Sequence, residues 1–387
     1  MAQNPAFLVA IIGVIMALVF RLRKRRASIP QHDSILTGKM YYEEVMTTRN
    51  SSRFLDVTRM TKETFCKLKV LLMAEGLKDS KKLCAGEKMM IFLQVLKGYS
   101  IRNIAERFQH SYSTISIVIH QVSASILKNE GILFQKHKEN SVVHDRILKD
   151  PKYYPYFDNC DGALDGTHIP AILREEDQSV FRNRKKFISQ NVLGVTNFDA
   201  IFIYALAGWE GSAHDAKVLN DAKEKGLPMR QGKFYLADAG YALSRLTLTP
   251  YRGVRYHLKE WGRGNQRPAD YKELFNLRHS ALRNVVERIF GIMKKRFPIL
   301  VKMASYSFVF QCDLVYCCML LQNFIRMDQI FEDIFDLWED VELPPVENNI
   351  QREFENLAQA GQLNQWRDSI ALPMWEAYQD EVRNRGI

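Results

Sequence analysis

Three carboxylates carry the clearest chemical signal in the sequence. Asp165 lies in the apolar run "GALDGTHIPAIL", Asp238 closes the run in "FYLADAGY", and Glu287 sits in "LRNVVERIFGIMKKRF". An aspartate at the end of a buried strand either caps the following turn or faces a cleft. If the strands bearing Asp165 and Asp238 are neighbours, both reach one edge of a cleft and a helix can bring Glu287 over them. Three converging carboxylates repel one another, which raises their pKa values. Two hard divalent cations, Mg²⁺ or Mn²⁺, remove that penalty, because both prefer oxygen ligands and keep waters. A metal pair about 4 Å apart activates water on one side of a phosphodiester and stabilises the leaving oxygen on the other. Asp165, Asp238 and Glu287 are therefore candidate catalytic residues and candidate metal ligands for cutting nucleic acid, with no Ser or His nucleophile required.

Several neighbours fit the same chemistry. Arg283, Glu287 and Lys294 are spaced by four and seven residues and share one helix face. Arg283 can neutralise or orient Glu287, and Lys294 can meet a phosphate one or two turns away. The block "FRNRKKFISQ" supplies Arg182, Arg184, Lys185 and Lys186, a candidate clamp on a nucleic-acid backbone that binds without reading sequence. Asp215, in "GSAHDAKVL", competes for the second carboxylate position, but it opens a helix, where an acidic side chain has an ordinary structural use. His168 and His214 read as polar neighbours, since hard cations favour oxygen.

These residues need a sheet and a long helix to hold them. After Val142 the runs "GALDGTHIPAIL", "NVLGVTNF" and "AIFIYALAGW" predict three successive strands, the last two joined by a hairpin turn at Phe198 and Asp199. "HDAKVLNDAKEKG" predicts a helix ended by Gly226, "KFYLADAG" a fourth strand and "GVRYHL" a fifth. Helical patterns follow over Tyr271–Arg296 and 310–327. The result is an α/β domain over 142–330, a mixed sheet flanked by helices.

A small all-α domain precedes it over 56–128. Within "YSIRNIAERFQHSYSTISIVIHQVSASI", Ser100 can cap a helix over Ile101–Phe108 and Ser113 can open a second from Thr114. This is the pattern of a helix-turn-helix DNA reader. Ser111, Tyr112, Ser113 and Ser116 would face bases or phosphates, with Arg102 and Arg107 on the backbone. A plain helical packing domain is the alternative.

The 387 residues, 47% hydrophobic and 25% charged, suffice for two or three globular domains, and the net charge of +10 favours a polyanionic partner. No Gly-rich phosphate loop is present, which argues against an ATP-driven or nicotinamide enzyme. The six cysteines show neither zinc-site nor disulfide-scaffold spacing and read as reduced thiols. Segment 1–27 joins an apolar run, residues 6–20, to the basic "RLRKRR". Fifteen helical residues span about 22 Å against a hydrocarbon core of roughly 30 Å, so this is either a short membrane anchor with the rest of the chain cytosolic or an import signal. The C-terminal 331–387 reads as an acidic tail that folds back or binds a partner.

The blocks "ALDGTHIPA", "FRNRKKFISQNVLGV", "GWEGSAHDAKVL", "YLADAGY", "PYRGVRYHL" and "FNLRHSALRNVVERIFGIMKKRF" together resemble the PIF/Harbinger superfamily of DNA transposases and their domesticated nuclease relatives. The likeness runs from about Cys160 to Ile299. It implies a ribonuclease H-like fold and a DDE triad at Asp165, Asp238 and Glu287, the last two 49 positions apart. Ser280 stands where a related signature has tyrosine. The resemblance further implies DNA as substrate and a separate Myb-like DNA-binding partner; a DNA-cutting domain must reach chromatin, so a mainly nuclear protein is expected, with membrane or cytoplasmic pools from segment 1–27. The sequence is compatible with a homo-oligomer. A domesticated descendant that binds DNA or protein without cutting is the alternative.

Overall fold

The computed structural model describes residues 5–24, 31–134, 142–255, 267–328 and 357–384. Helices of eight residues or more begin with α1 (Pro5–Lys24), whose side chains over residues 10–19 are exposed. There follow α2 (Gly38–Thr47), α3 (Ser51–Thr58), α4 (Lys62–Ala74), α5 (Ala85–Leu96), α6 (Ile101–Phe108) and α7 (Tyr112–Leu127). Thr37, Asn50, Thr61, Ser100 and Ser111 each accept a hydrogen bond from the backbone N–H three residues on, so five of these starts are fixed by a side-chain cap. α5 is buried along its whole length.

The two predicted helices are present as α6 and α7, with a shifted turn. Gln109 ends α6 in the left-handed conformation (φ 55°), and the Ser111 hydroxyl, not that of Ser113, caps α7 by accepting the Thr114 N–H at 3.3 Å. Tyr112 and Ser113 therefore belong to the first turn of α7.

The sheet comprises β1 (Cys160–Pro170), β2 (Ser189–Thr196), β3 (Phe202–Glu210), β4 (Phe234–Leu236) and β5 (Thr247–Leu248), in the order β3-β2-β1-β4-β5. β1, β2 and β3 meander antiparallel, while β4 runs parallel to β1 and β5 parallel to β4. Between β3 and β4 lies α8 (Asp215–Glu224), after β5 come α9 (Tyr271–Arg296) and α10 (Phe308–Asp328), and the described chain ends in α11 (Leu357–Asn384). Strand alternation divides the core in two. Ala163, Val192 and Phe202 pack with α9 and α10, whereas Leu164, Leu193 and Ile203 pack with Val218, Leu219 and Ala222 of α8.

Two expectations are corrected. The fifth strand is Thr247–Leu248, not "GVRYHL": the Tyr235 and Ala237 N–H groups donate to the Leu246 and Leu248 carbonyls at 2.8 and 3.0 Å. Residues 253–255 lie outside the sheet, and residues 256–258 fall outside the described residues. The C-terminal stretch is also not simply an acidic tail. α11 packs along α9 and buries Leu363, Ala371 and Met374, while the portion over 329–356 lies outside the described residues. α10 has the length and apolarity of a membrane span, yet two-thirds of that stretch is buried inside the protein.

The helices before β1 and the α/β region share one apolar core. Residues of α4, α5 and α7 join those of β1, α9 and α10 in a continuous cluster. At its margin the Thr64 hydroxyl and the Lys67 ammonium both bind the Asp328 carboxylate at 2.6 Å.

Candidate active site

The sheet register aligns the two aspartates. Ala163 of β1 pairs with Leu236, the last residue of parallel β4; Asp165 and Asp238 each follow two residues later, and Asp238 is close enough to raise the Asp165 pKa. Asp165 lies on the same side of β1 as Ala163 and Ile169, the side that packs against α9. From α9, Arg283 pairs with Asp165 at 3.3 Å and, one turn on, with Glu287, while itself only 3% exposed. The predicted Arg283–Glu287 pairing is thus present and extends to Asp165. Asp238 accepts the Gly240 N–H at 2.8 Å, so it both caps its turn and faces the cluster. Burial pushes the Asp165 carboxyl well above its ordinary value. Arg283 opposes that shift, and Asp238, Glu287 and Asp215 add to it.

Asp215 is part of this cluster. It makes no capping bond: His214 occupies the N-cap position without one, and Asp215 instead accepts from the Asn191 amide of β2 at 3.0 Å. Burial raises its pKa, the Asn191 hydrogen bond opposes this, and Asp238 reinforces it. Side chains at Gly166 and Gly240 would crowd the group, since a Cβ there would meet Asp215 Oδ1 at 2.9 Å and Asp238 Oδ1 at 3.0 Å. Tyr241 was not singled out from the sequence. It is 1% exposed, and its hydroxyl has no hydrogen-bond partner among the described residues. Burial raises its pKa well above the ordinary value, and Asp215, Asp165 and Asp238 raise it further. Its position, three residues after Asp238 in "ADAGY", was the available signal.

The donors suit hard divalent cations: four carboxylates, two of them with pKa values lifted by burial and acidic neighbours, and an orphaned buried hydroxyl beside them. Among the described residues no three acidic, histidine or thiol side chains form a ready cage for one ion. Pairs of carboxylates completed by water and phosphate oxygens need no such cage.

Lys294, expected at a phosphate, instead donates to the Thr167 hydroxyl at 2.6 Å and the His168 carbonyl at 3.2 Å, and burial lowers its pKa to about 8. It braces β1 just past Asp165. The His168 ring contacts the Ser189 hydroxyl at 3.1 Å, and His214 contacts Arg184 at 3.1 Å. Ser280 is buried in α9. Arg182, Arg184, Lys185 and Lys186 are exposed between β1 and β2, with Arg182 donating to the Lys186 carbonyl at 2.9 Å. On α6 and α7, Arg102 and Ser113 are exposed, Arg107 lies 4.9 Å over the Tyr41 ring, and the Tyr112 hydroxyl accepts from Gln31 at 2.7 Å. Ser116 is half-buried.

Residues 164–323 of the chain match the model of the DDE superfamily endonucleases. Residues 33–128 match a domain of unknown function, DUF8040. Among curated relatives, the Harbinger-derived "Protein ALP1-like" of Arabidopsis thaliana is 25% identical over 287 residues, covering 65% of this chain and 63% of that protein. "Putative nuclease HARBI1", also Harbinger-derived, is 26% identical in Bos taurus and 25% in Homo sapiens over 204 residues, 51% of this chain and 53% of each relative. The chain thus spans between about half and just under two thirds of the length of these relatives. No solved structure matches it significantly.

Proposed function

We propose that the chain is a divalent-metal-dependent DNA nuclease of the Harbinger transposase type on a ribonuclease H-like fold, with Asp165, Asp238 and Glu287 as ligands of two Mg²⁺ or Mn²⁺ ions. One observation carries the reading: Asp165 on β1 lies close to Asp238, two residues past the end of the neighbouring parallel strand β4, and Arg283 ties Asp165 to Glu287. Bound there, the ions would supply an activated water and charge stabilisation for the leaving oxygen. Within the chain, Arg283 holds two of the acids together until the ions neutralise them, and Lys294 fixes the backbone beyond Asp165. The exposed cations of 182–186 grip DNA phosphates. A sheet with three meandering strands and two more parallel to the first supports the ribonuclease H-like assignment.

In this reading α6 and α7 form a DNA reader, in which Arg102 and Arg107 hold the backbone and Tyr112 and Ser113 approach bases. The exposed apolar α1 gives a membrane or cytoplasmic pool of a mainly nuclear protein. A Myb-like DNA-binding protein and a second copy of the chain are the proposed partners. The test is DNA cleavage with Mg²⁺ or Mn²⁺. Asp165→Ala, Asp238→Ala and Glu287→Ala should each lose about 10³-fold or more while remaining folded. Full cleavage by Asp238→Ala together with loss in Asp215→Ala would refute the triad.

A further inference from the structure

Beside the carboxylates lies a cavity of about 710 Å³ whose lining is strongly one-signed. Five cations reach it from five separate segments: Arg184 between β1 and β2, Lys217 on α8, Arg252 after β5, Lys272 on α9 and Arg367 on α11. Among the described lining residues Asp215 is the only carboxylate, and the cavity meets the acidic cluster at that point. Among the described residues none of the five is bridged to an acid. Arg184 contacts His214, Arg252 donates to the Ala239 carbonyl at 3.0 Å, and Arg367 donates to the Thr249 and Pro250 carbonyls at 3.3 and 3.0 Å. The two lysines sit over aromatic rings, Lys217 at 4.9 Å from Trp209 and Lys272 at 5.7 Å from Tyr251. These contacts hold the cations in place without a direct ion pair to an acid among the described residues. Such an arrangement calls for a polyanion. Leu243, Pro250 and Val254 add apolar surface between the charges.

Size decides which polyanion fits. A cube of this volume is about 9 Å on an edge, narrower than the ~12 Å major groove of a duplex alone. Phosphate-binding cations interleaved with apolar and aromatic surface are the means by which proteins hold unpaired nucleotides.

Building on the nuclease reading, we propose that this cavity receives an unpaired stretch of the DNA strand next to the bond to be cut, its phosphates on the five cations. The C-terminal helix α11 then completes the substrate groove, through Arg367 packed 3.9 Å over the Tyr251 ring.

Fluorescence anisotropy of the full chain in EDTA with a labelled oligodeoxythymidylate of about six nucleotides tests this without any cleavage. The parent should bind, with affinity falling steeply as salt rises. Lys217→Gln combined with Lys272→Gln should weaken binding about 10-fold and reduce the log–log salt slope by about 1.4, two contacts at ≈ 0.7 each for single strands. A forked duplex should bind more tightly than a blunt one. Unchanged affinity in the double variant, no preference for the fork, or equally strong competition by a mononucleotide would each overturn the proposal. Arg367→Gln, checked by circular dichroism, reads the α11 contribution separately. Oligonucleotide binding that persists in a protein unable to cleave would refute the nuclease reading and leave this one standing. Normal cleavage with oligonucleotide affinity unaffected by the lysine changes would do the reverse.

Discussion

Arg283→Gln probes the electrostatics of the carboxylate cluster directly. The guanidinium is 3% exposed, and its partners Asp165 and Glu287 have side chains 18% and 17% exposed. Without it, both acids face one another, with Asp238 and Asp215 also close enough to Asp165 to raise its pKa. Breaking a buried ion pair by removing one partner costs about 3–5 kcal/mol, and the residual exposure of both acids puts this case near about 3 kcal/mol. With an m-value on the order of 3 kcal/mol/M, the urea midpoint should fall by about 1 M. Millimolar Mg²⁺ should recover much of that loss in the variant and stabilise the parent less, because the freed carboxylates gain a replacement counter-charge. Urea unfolding followed by circular dichroism, with and without Mg²⁺, measures both effects. A variant midpoint within about 0.2 M of the parent, or equal Mg²⁺ shifts in the two proteins, would refute the assignment of Arg283 as the internal counter-ion.

Two further outcomes are expected. His279 is buried and donates to the Leu248 carbonyl at 2.9 Å, and burial lowers its pKa to about 3. Because the folded value lies below the unfolded one, this group's contribution is present above the ordinary imidazole pKa and is lost as pH falls: about 2 kcal/mol between about pH 7 and pH 5. His279→Gln should remove that part of the pH dependence, as read from urea midpoints at the two pH values. In the cell, a tagged full-length chain should be mainly nuclear. Stable membrane residence that is released by deleting residues 1–27 would overturn the nuclear assignment.

Much of the site was legible because it depends on local pattern. Alternating β-branched and aromatic residues marked β1, β2 and β3, and the four-residue spacing of Arg283 and Glu287 foretold their pairing. What escaped the sequence depends on register and on distant contacts. β5 is two residues long, too short for any periodicity, and its place is set by backbone bonds to β4. Asp215 looked like an ordinary acid at a helix start until Asn191, 24 positions away on β2, turned it into the cluster. α11 did carry a readable signal, since Leu363, Trp366, Ile370, Met374 and Tyr378 recur at helical spacing, but the acidic stretch ahead of it obscured that pattern. The cavity cations come from five segments, and only the folded chain brings them together.

The continuous core that joins the N-terminal helices to the sheet also sets a length. With α7 packed against α10, and α4 fastened to its end through Asp328, the described helices that carry the α6–α7 turn and the acids on β1 and just after β4 rest on one packed core. Under the proposed function, a duplex gripped by both would be cut at one fixed offset from the α6–α7 turn, as against a ruler. Lengthening a surface loop would leave that offset unchanged. Only repacking the helices themselves would move the cut.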